Sequence, residues 1–295
     1  MILRSRPRDE EVPENVAGRT RVGAFFVLTF AWSWTFWLLS SAVEAHAATA
    51  AVALSALASF GPGIAAVAMV GFSGGRAGLH HWLKRCLQWR VGWRWILLTL
   101  LLPLTVTAGV ALAHAALGGT LTTSPAHGQV LLVPAAFVWV FFAGRPLGEE
   151  FGWRGYALPA LQGRFGWRIA SLVLGALWGV WHLPLFTMVG TSQSQTPVHV
   201  FMSMIVALSV LFAWIFNRTG HSVVPALVLH TAFNTWSFVI PALASDKAQR
   251  PSETVVCIFF LIAVGLLLSP DRTAALPSDA MQCGQAPTDA PGKRP

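Results

Sequence analysis

Long apolar stretches separated by short polar connections recur along most of the chain. A helix needs about 20 apolar residues to cross the hydrocarbon core of a bilayer. Eight stretches approach or exceed that length: 23–43, 48–72, 93–117, 129–148, 168–189, 198–216, 222–243 and 254–269. Backbone polar groups at membrane depth must be paired within their own segment, which favours helices. The pattern therefore predicts an all-α, polytopic integral membrane protein with about eight transmembrane helices.

The same pattern sets the predicted domain boundaries. Residues 23–270 form a single predicted transmembrane domain, and its motif-bearing core is 128–240. Residues 1–22 are mixed in charge, and 271–295 are rich in Pro, Asp, Gln and Ala. Such compositions are typical of disordered tails. We expect no soluble second domain.

Composition supports the membrane class, with 55% hydrophobic and only 11% charged residues. A formal net charge of +8 could indicate a nucleic-acid partner. However, the basic residues lie between the apolar stretches rather than along one face, as in membrane proteins. The expected partners are therefore membrane lipids and a membrane-associated peptide or protein substrate, with no nucleic acid. The pattern assigns no oligomeric state.

The distribution of Lys and Arg predicts the topology. Basic residues concentrate in the N-terminal tail and in the connections after the second and fourth predicted helices, whereas the connections near 44–47, 118–128 and 190–197 carry none. Basic connections face the cytoplasm, so both termini are expected there. The Ala-, Gly- and Trp-rich composition favours a bacterial cell membrane.

The position of Glu149 and Glu150 in an apolar stretch needs an explanation. The other ten of the 12 acids lie in tails or near outer helix ends. An ionisable group at a helix centre costs roughly 2.5–3.5 kcal/mol on insertion scales and usually has a function. Glu150 and Arg154 have the i,i+4 spacing of a helical ion pair. That pair leaves Glu149 about 100° around the helix, free to point elsewhere.

Two further polar pairs interrupt apolar helices. Trp178 and His182 lie one turn apart in one stretch, and His230 and Asn234 lie one turn apart in another. A single histidine of this kind is usually a structural donor. Two of them with an Asn and a buried Glu are expected to be one another's partners. We therefore predict a cytoplasm-facing catalytic cavity among the fourth to seventh predicted helices.

This set of residues is suited to hydrolysis. A carboxylate and an imidazole can activate water as a general base, while imidazole and carboxamide N–H groups can stabilise an oxyanion. Alternatively, Glu149, His182 and His230 could hold a divalent metal such as zinc with an open position for water. The residues alone leave both mechanisms open, and they require no other cofactor.

Three motifs together resemble a known family. Glu149-Glu150-x-x-x-Arg154, the aromatic-x-x-x-His of Trp178 and His182, and His230-x-x-x-Asn234 are similar to the motifs of the CPBP intramembrane proteases. This family comprises CAAX proteases and bacteriocin-processing enzymes, and is also called the ABI or type II CAAX prenyl endopeptidase family. The second motif of the family commonly has Phe where this chain has Trp178, a change expected to affect pocket shape more than chemistry.

The resemblance implies a division of roles. Glu149 would activate the water with help from His182, and His230 with Asn234 would form the oxyanion site. Glu150 and Arg154 would brace the helix end and could bind a substrate carboxylate, with Trp178 in a supporting position. We favour the metal-free mechanism because no additional carboxylate ligand accompanies the set. The expected activity is that of an intramembrane endopeptidase.

Two alternatives belong to other functional classes. A proton-coupled transporter could use Glu149, His182 and His230 as a relay, but it would favour paired helix breaks in both halves, and the breaks here cluster in the second half. A non-catalytic peptide-binding or immunity protein could keep the same residues. A prenylated CAAX terminus, a bacteriocin precursor and a membrane-bound regulatory protein all remain candidate substrates.

Overall fold

The computed structural model describes residues 14–121, 124, 129–142, 145–240 and 250–270. Within these ranges the chain forms helices and turns and no strand. The ten α-helices are α1 (Glu14–Val43), α2 (Ala48–Ala58), α3 (Gly61–Cys86), α4 (Trp93–Ala116), α5 (Val133–Phe142), α6 (Arg145–Gly152), α7 (Leu158–Trp181), α8 (Val198–Arg218), α9 (Val224–Val239) and α10 (Arg250–Leu268). The predicted all-α fold is confirmed.

Several of these helices are suited to span a membrane. Four in the described ranges are individually long and apolar enough: Arg21–Val43, Trp93–Ala116, Val198–Arg218 and Pro251–Leu268. The pair α2 and α3, bent by 46° at its break, would make a fifth. The chain is thus an integral membrane protein, as predicted, but the count of eight spans is not confirmed.

The helices begin and end differently from several apolar stretches. The stretch 48–72 is divided between α2 and α3, where Pro62 occupies the first turn of α3, a position that proline favours. In the stretch 129–148 the described helices are α5 and α6, and residues 143–144 lie outside the described ranges. In α7, Gly166 has a φ of 70° and interrupts a helix that starts at Leu158. Apolar runs therefore marked the membrane segments without marking their internal breaks.

The predicted tails are only partly within the described ranges. Helix α1 begins at Glu14, so it includes the last residues of the segment 1–22, whose predicted disorder stays a prediction. The N-terminal residues before Glu14, the tail 271–295 and the last residues of the predicted stretch 222–243 lie outside the described residues.

Close helix packing positions the acidic segment. Helix α6 lies against the start of α3 so closely that a Cβ on Gly148 would be 2.7 Å from Ser59 O, and one on Gly152 would be 2.4 Å from the Pro62 carbonyl carbon. On the other side of the molecule, α7 packs on α8, and Ser209 Oγ donates to Ser171 O at 2.8 Å. Small residues permit such backbone contact between membrane helices.

A π-helical turn, Trp153–Ala157, joins α6 to α7. Single π turns inside helices change the register of the side chains and are frequent at functional sites. The Gly155 carbonyl in this turn accepts hydrogen bonds from Trp82 Nε1 at 3.0 Å and from Arg85 Nη2 at 3.2 Å, both on α3. Helix α3 therefore holds both α6 and the turn that follows it.

We expect Gly152→Ala to destabilise the fold, because its new methyl group would meet the Pro62 backbone, which cannot rotate away. Overpacking of this kind typically costs about 1–3 kcal/mol. The thermal unfolding midpoint in detergent should fall accordingly. Gly163→Ala is the matched control, since nothing lies within 4 Å of its Cβ position. Equal midpoints for the two variants would contradict the proposed backbone contact.

Candidate active site

The two adjacent carboxylates on α6 are buried at 1% exposure for Glu149 and 0% for Glu150. They belong to a cluster in which Arg154, Trp178, His182 and His230 are also buried. These residues come from α6, the π turn, α7 and its C-terminal cap, and α9. The structure thus brings together the segments that carry the three sequence motifs.

Glu150 contacts two side chains through one oxygen. Its Oε1 accepts a hydrogen bond from Arg154 Nη1 at 2.9 Å and lies 2.7 Å from His230 Nδ1. The predicted i,i+4 ion pair is present, and the contact with His230 connects it to α9. A buried charge is tolerated when it is paired and hydrogen-bonded, so this contact set stabilises both Glu150 and Arg154.

Arg154 is enclosed by aromatic rings as well as paired. Its Cζ lies 4.5 Å from the ring centroid of Trp178 and 4.1 Å from that of Phe212 on α8. Guanidinium groups are attracted to the faces of aromatic rings at such distances. Because its exposure is 0%, Arg154 is a bracing residue. The suggested second role, binding a substrate carboxylate, does not suit its enclosed position.

Glu149 has a different environment. Its Oε2 accepts a hydrogen bond from Trp178 Nε1 at 2.7 Å, whereas Oε1 is buried without a hydrogen-bond partner among the described residues. One oxygen is therefore fixed, and the other is directed at no protein donor. A Phe at position 178 would have no N–H to donate, so the Trp adds a hydrogen bond beside its expected effect on pocket shape.

Trp178 also orients His182. The backbone carbonyl of Trp178 lies 2.8 Å from His182 Nδ1, and a carbonyl can only accept, so Nδ1 is assigned the proton. The neutral ring then presents Nε2 as an acceptor. His182 is the C-cap residue of α7 rather than an interior residue. Pro184 two residues later agrees with a helix end here, since proline disfavours helical backbone before it.

His230 and Asn234 lie one turn apart on α9, as predicted. His230 packs edge-on to Trp178, with ring centroids 5.6 Å apart. Asn234 is half-buried and makes no hydrogen bond with the described residues. Its amide is therefore available at the partly exposed side of the cluster, but it is not bonded into the network around Glu150.

The arrangement of the possible metal ligands decides whether they could hold an ion together. No three His, Cys, Asp or Glu side chains in the described ranges form a group that could hold a metal ion. Glu149, His182 and His230 thus do not fit a three-ligand site in this conformation. A cavity of about 840 Å³ lies elsewhere, between α4 and α10, and includes none of the predicted site residues.

Two residues near the cluster were not recognised from the sequence. Phe212 lies in an apolar run, and nothing in the sequence distinguishes it from its neighbours. Arg145, the first residue of α6, was counted only as a basic residue of a cytoplasmic connection, although its i,i+4 spacing to Glu149 repeats that of Glu150 and Arg154. Glu149 and His182 are both within electrostatic reach of its charge.

Comparison with known proteins agrees with this cluster. Residues 130–236 match the family described as "Type II CAAX prenyl endopeptidase Rce1-like". A "CAAX prenyl protease 2" from Methanococcus maripaludis is 29% identical over 127 residues, which cover 41% of this chain and 45% of that protein. The alignment therefore spans less than half of the relative. These matches support the resemblance of this part of the chain to the type II CAAX prenyl endopeptidases.

We expect Glu150→Ala to destabilise the protein much more than Glu149→Ala. Removing Glu150 leaves the buried Arg154 without its charge partner, and breaking a buried pair typically costs about 3–5 kcal/mol. Glu149 has one neutral donor as its hydrogen-bond partner. Thermal unfolding in detergent measures the difference. A Glu149→Ala variant as unstable as Glu150→Ala would contradict the division of roles.

Trp178→Phe should lower activity by about 10- to 100-fold, the effect of losing one hydrogen bond to a charged group, about 1.5–3 kcal/mol. Peptide cleavage by the reconstituted protein is the measurement. Trp167→Phe, in the same helix, is the matched control because the Trp167 indole nitrogen is buried with no hydrogen-bond partner in the described structure. If both variants lose activity equally, lost ring volume rather than the lost N–H is responsible.

Proposed function

We propose that this protein is an intramembrane endopeptidase that hydrolyses peptide bonds in membrane-associated, CAAX-type prenylated substrates. The observation that carries the proposal is the asymmetric environment of Glu149. One carboxylate oxygen is fixed by Trp178 and the other has no protein donor. Such a carboxylate is oriented to accept a proton from a water molecule.

In the proposed reaction, Glu149 accepts a proton as the water oxygen attacks the scissile carbonyl carbon. His182, fixed through its Nδ1, uses Nε2 to help orient this water. The carbonyl oxygen becomes an oxyanion, and the proton is then delivered to the amide nitrogen as the C–N bond breaks. The products are a carboxylate and an amine. General acid–base catalysis of this type contributes typically 10²–10⁴-fold.

His230 and Asn234 are the proposed donors to the oxyanion. The Asn234 side-chain amide can donate in any protonation state. His230 directs Nδ1 at the Glu150 carboxylate, so its Nε2 donates only when the ring is protonated. Glu150 Oε1 lies 2.7 Å from Nδ1 and so fixes the orientation of the ring. Glu150 is thereby proposed to support the oxyanion site as well as the helix brace.

The membrane setting supports an anchored substrate. Helix α5 precedes α6 in the chain, consists of apolar residues and has none buried. Val138, Trp139 and Phe142 are each more than half exposed. A substrate held by a prenyl chain in the bilayer would approach Glu149 beside this helix. We further propose that the site faces the cytoplasm, that both termini lie there, and that the host is bacterial.

Glu149→Ala should reduce cleavage of a prenylated CAAX peptide in liposomes by about 10²–10⁴-fold, because it removes the group that accepts the water proton. Product formation by mass spectrometry is the measurement. Arg164→Ala is the control, since Arg164 is exposed on α7. Wild-type turnover by the Glu149→Ala variant would contradict the proposal that Glu149 accepts the water proton.

The same assay separates the metal-free mechanism that we propose from the metal-dependent alternative. Cleavage that continues after exhaustive chelation supports activation of water by Glu149 and His182 alone. Cleavage lost on chelation and restored by zinc supports a metal site that forms when helices adjust. Both outcomes leave the identity of the reaction intact, since Glu149 is required in either mechanism.

A further inference from the structure

Arg145 is a cation near the catalytic carboxylate with no assigned purpose. It begins α6 and lies one helical turn before Glu149. Its guanidinium makes no hydrogen bond and no ion pair within 4 Å in the described part of the structure, yet its charge interacts with Glu149 and His182. Its charge therefore adds positive potential to the site, and no group in the described structure pairs with it.

The other site arginine has the opposite properties. Arg154 is fully buried, bonded to Glu150 and covered by two aromatic rings. Arg145 is partly exposed, so a ligand can reach it. Unpaired Arg side chains bind carboxylates in a bidentate manner with strong, oriented hydrogen bonds. Of the two, Arg145 is the residue able to bind an anionic group of the substrate.

We infer that Arg145 binds the free C-terminal carboxylate of the substrate and so selects peptides cut close to their C-terminus. The inference rests on the proposed function, because the CAAX box is C-terminal. A bond cleaved within that box has its terminal carboxylate at most three residues away, a reach of about 10 Å in extended chain.

The helix geometry matches this reach. Four helical residues rise about 6 Å, and the Arg145 side chain can add the remaining distance from Glu149. A carboxylate held there would place the preceding peptide bonds alongside Glu149 and His182. Arg145 is thus a specificity-determining residue, distinct from the groups that act on water.

The test compares two prenylated CAAX peptides that differ only in a C-terminal acid or amide. For the wild-type protein, the acid should have a KM about 10- to 100-fold lower than the amide, the effect expected of a charge-assisted hydrogen bond. Arg145→Gln should raise the KM of the acid to that of the amide and leave the amide unchanged. Arg145→Lys should restore part of the preference.

Arg164→Gln is the matched control, since it removes an exposed arginine outside the site. An equal effect of Arg145→Gln on both peptides would mean that Arg145 only balances the charge of Glu149, and would overturn the inference. So would a wild-type protein that does not distinguish acid from amide. If Arg145→Gln misfolds, the charge-retaining Lys variant and the ratio of the wild-type KM values for acid and amide still test the inference.

Direct binding of the two labelled peptides, followed by fluorescence anisotropy, separates this inference from the proposed function. Tighter binding of the acid that depends on Arg145 but is followed by no cleavage would support carboxylate recognition and refute the protease activity. Cleavage of both peptides with equal affinity would support the protease activity and refute carboxylate recognition by Arg145.

Discussion

One carboxylate oxygen holds the centre of this membrane domain together. Glu150 Oε1 contacts both Arg154 and His230, and these three residues come from α6, the π turn and α9. In an apolar interior an unpaired charge is costly, whereas a well-bonded pair is tolerated. The position of α9 relative to α6 therefore depends on these contacts, because breaking them would leave a buried charge unpaired. The contact with Glu150 also positions His230.

Trp178 gives the second point of attachment. Its indole N–H donates to Glu149, its ring face lies on Arg154, and its backbone carbonyl fixes His182. One residue on α7 thus orients the carboxylate and the imidazole that are proposed to act on water. Pre-organisation of this kind allows catalytic groups to act without reorganising during the reaction. It also explains how two acids adjacent in sequence can have different roles, since their neighbours differ.

Backbone contacts make these side-chain positions possible. Gly148 and Gly152 bring α6 onto the start of α3 with no space for a Cβ, and α3 also binds the carbonyl of Gly155 in the π turn. The π turn carries Arg154 and joins α6, which carries Glu149 and Glu150, to α7. Catalytic geometry in this fold is consequently sensitive to small residues that take no part in the chemistry.

The sequence by itself determined the class of membrane protein and the candidate residues of the site. In an apolar chain, Glu149, Glu150, Arg154, His182, His230 and Asn234 are conspicuous because charge and polarity at membrane depth are costly. Their spacing was enough for the family resemblance and for the Glu150–Arg154 pair. Apolar runs located the membrane segments, but they did not locate the break between α2 and α3, because such breaks depend on local backbone contacts.

Only the tertiary structure decided which side chains meet. The bond from Trp178 to Glu149 joins residues 29 positions apart, and that from Glu150 to His230 joins residues 80 apart. Phe212 was indistinguishable from other apolar residues until α8 packed beside Arg154. Arg145 could be separated from the topology-determining basic residues only when its nearness to Glu149 was known. Spacing fixes neighbours along one helix, whereas contacts between helices depend on how their faces pack.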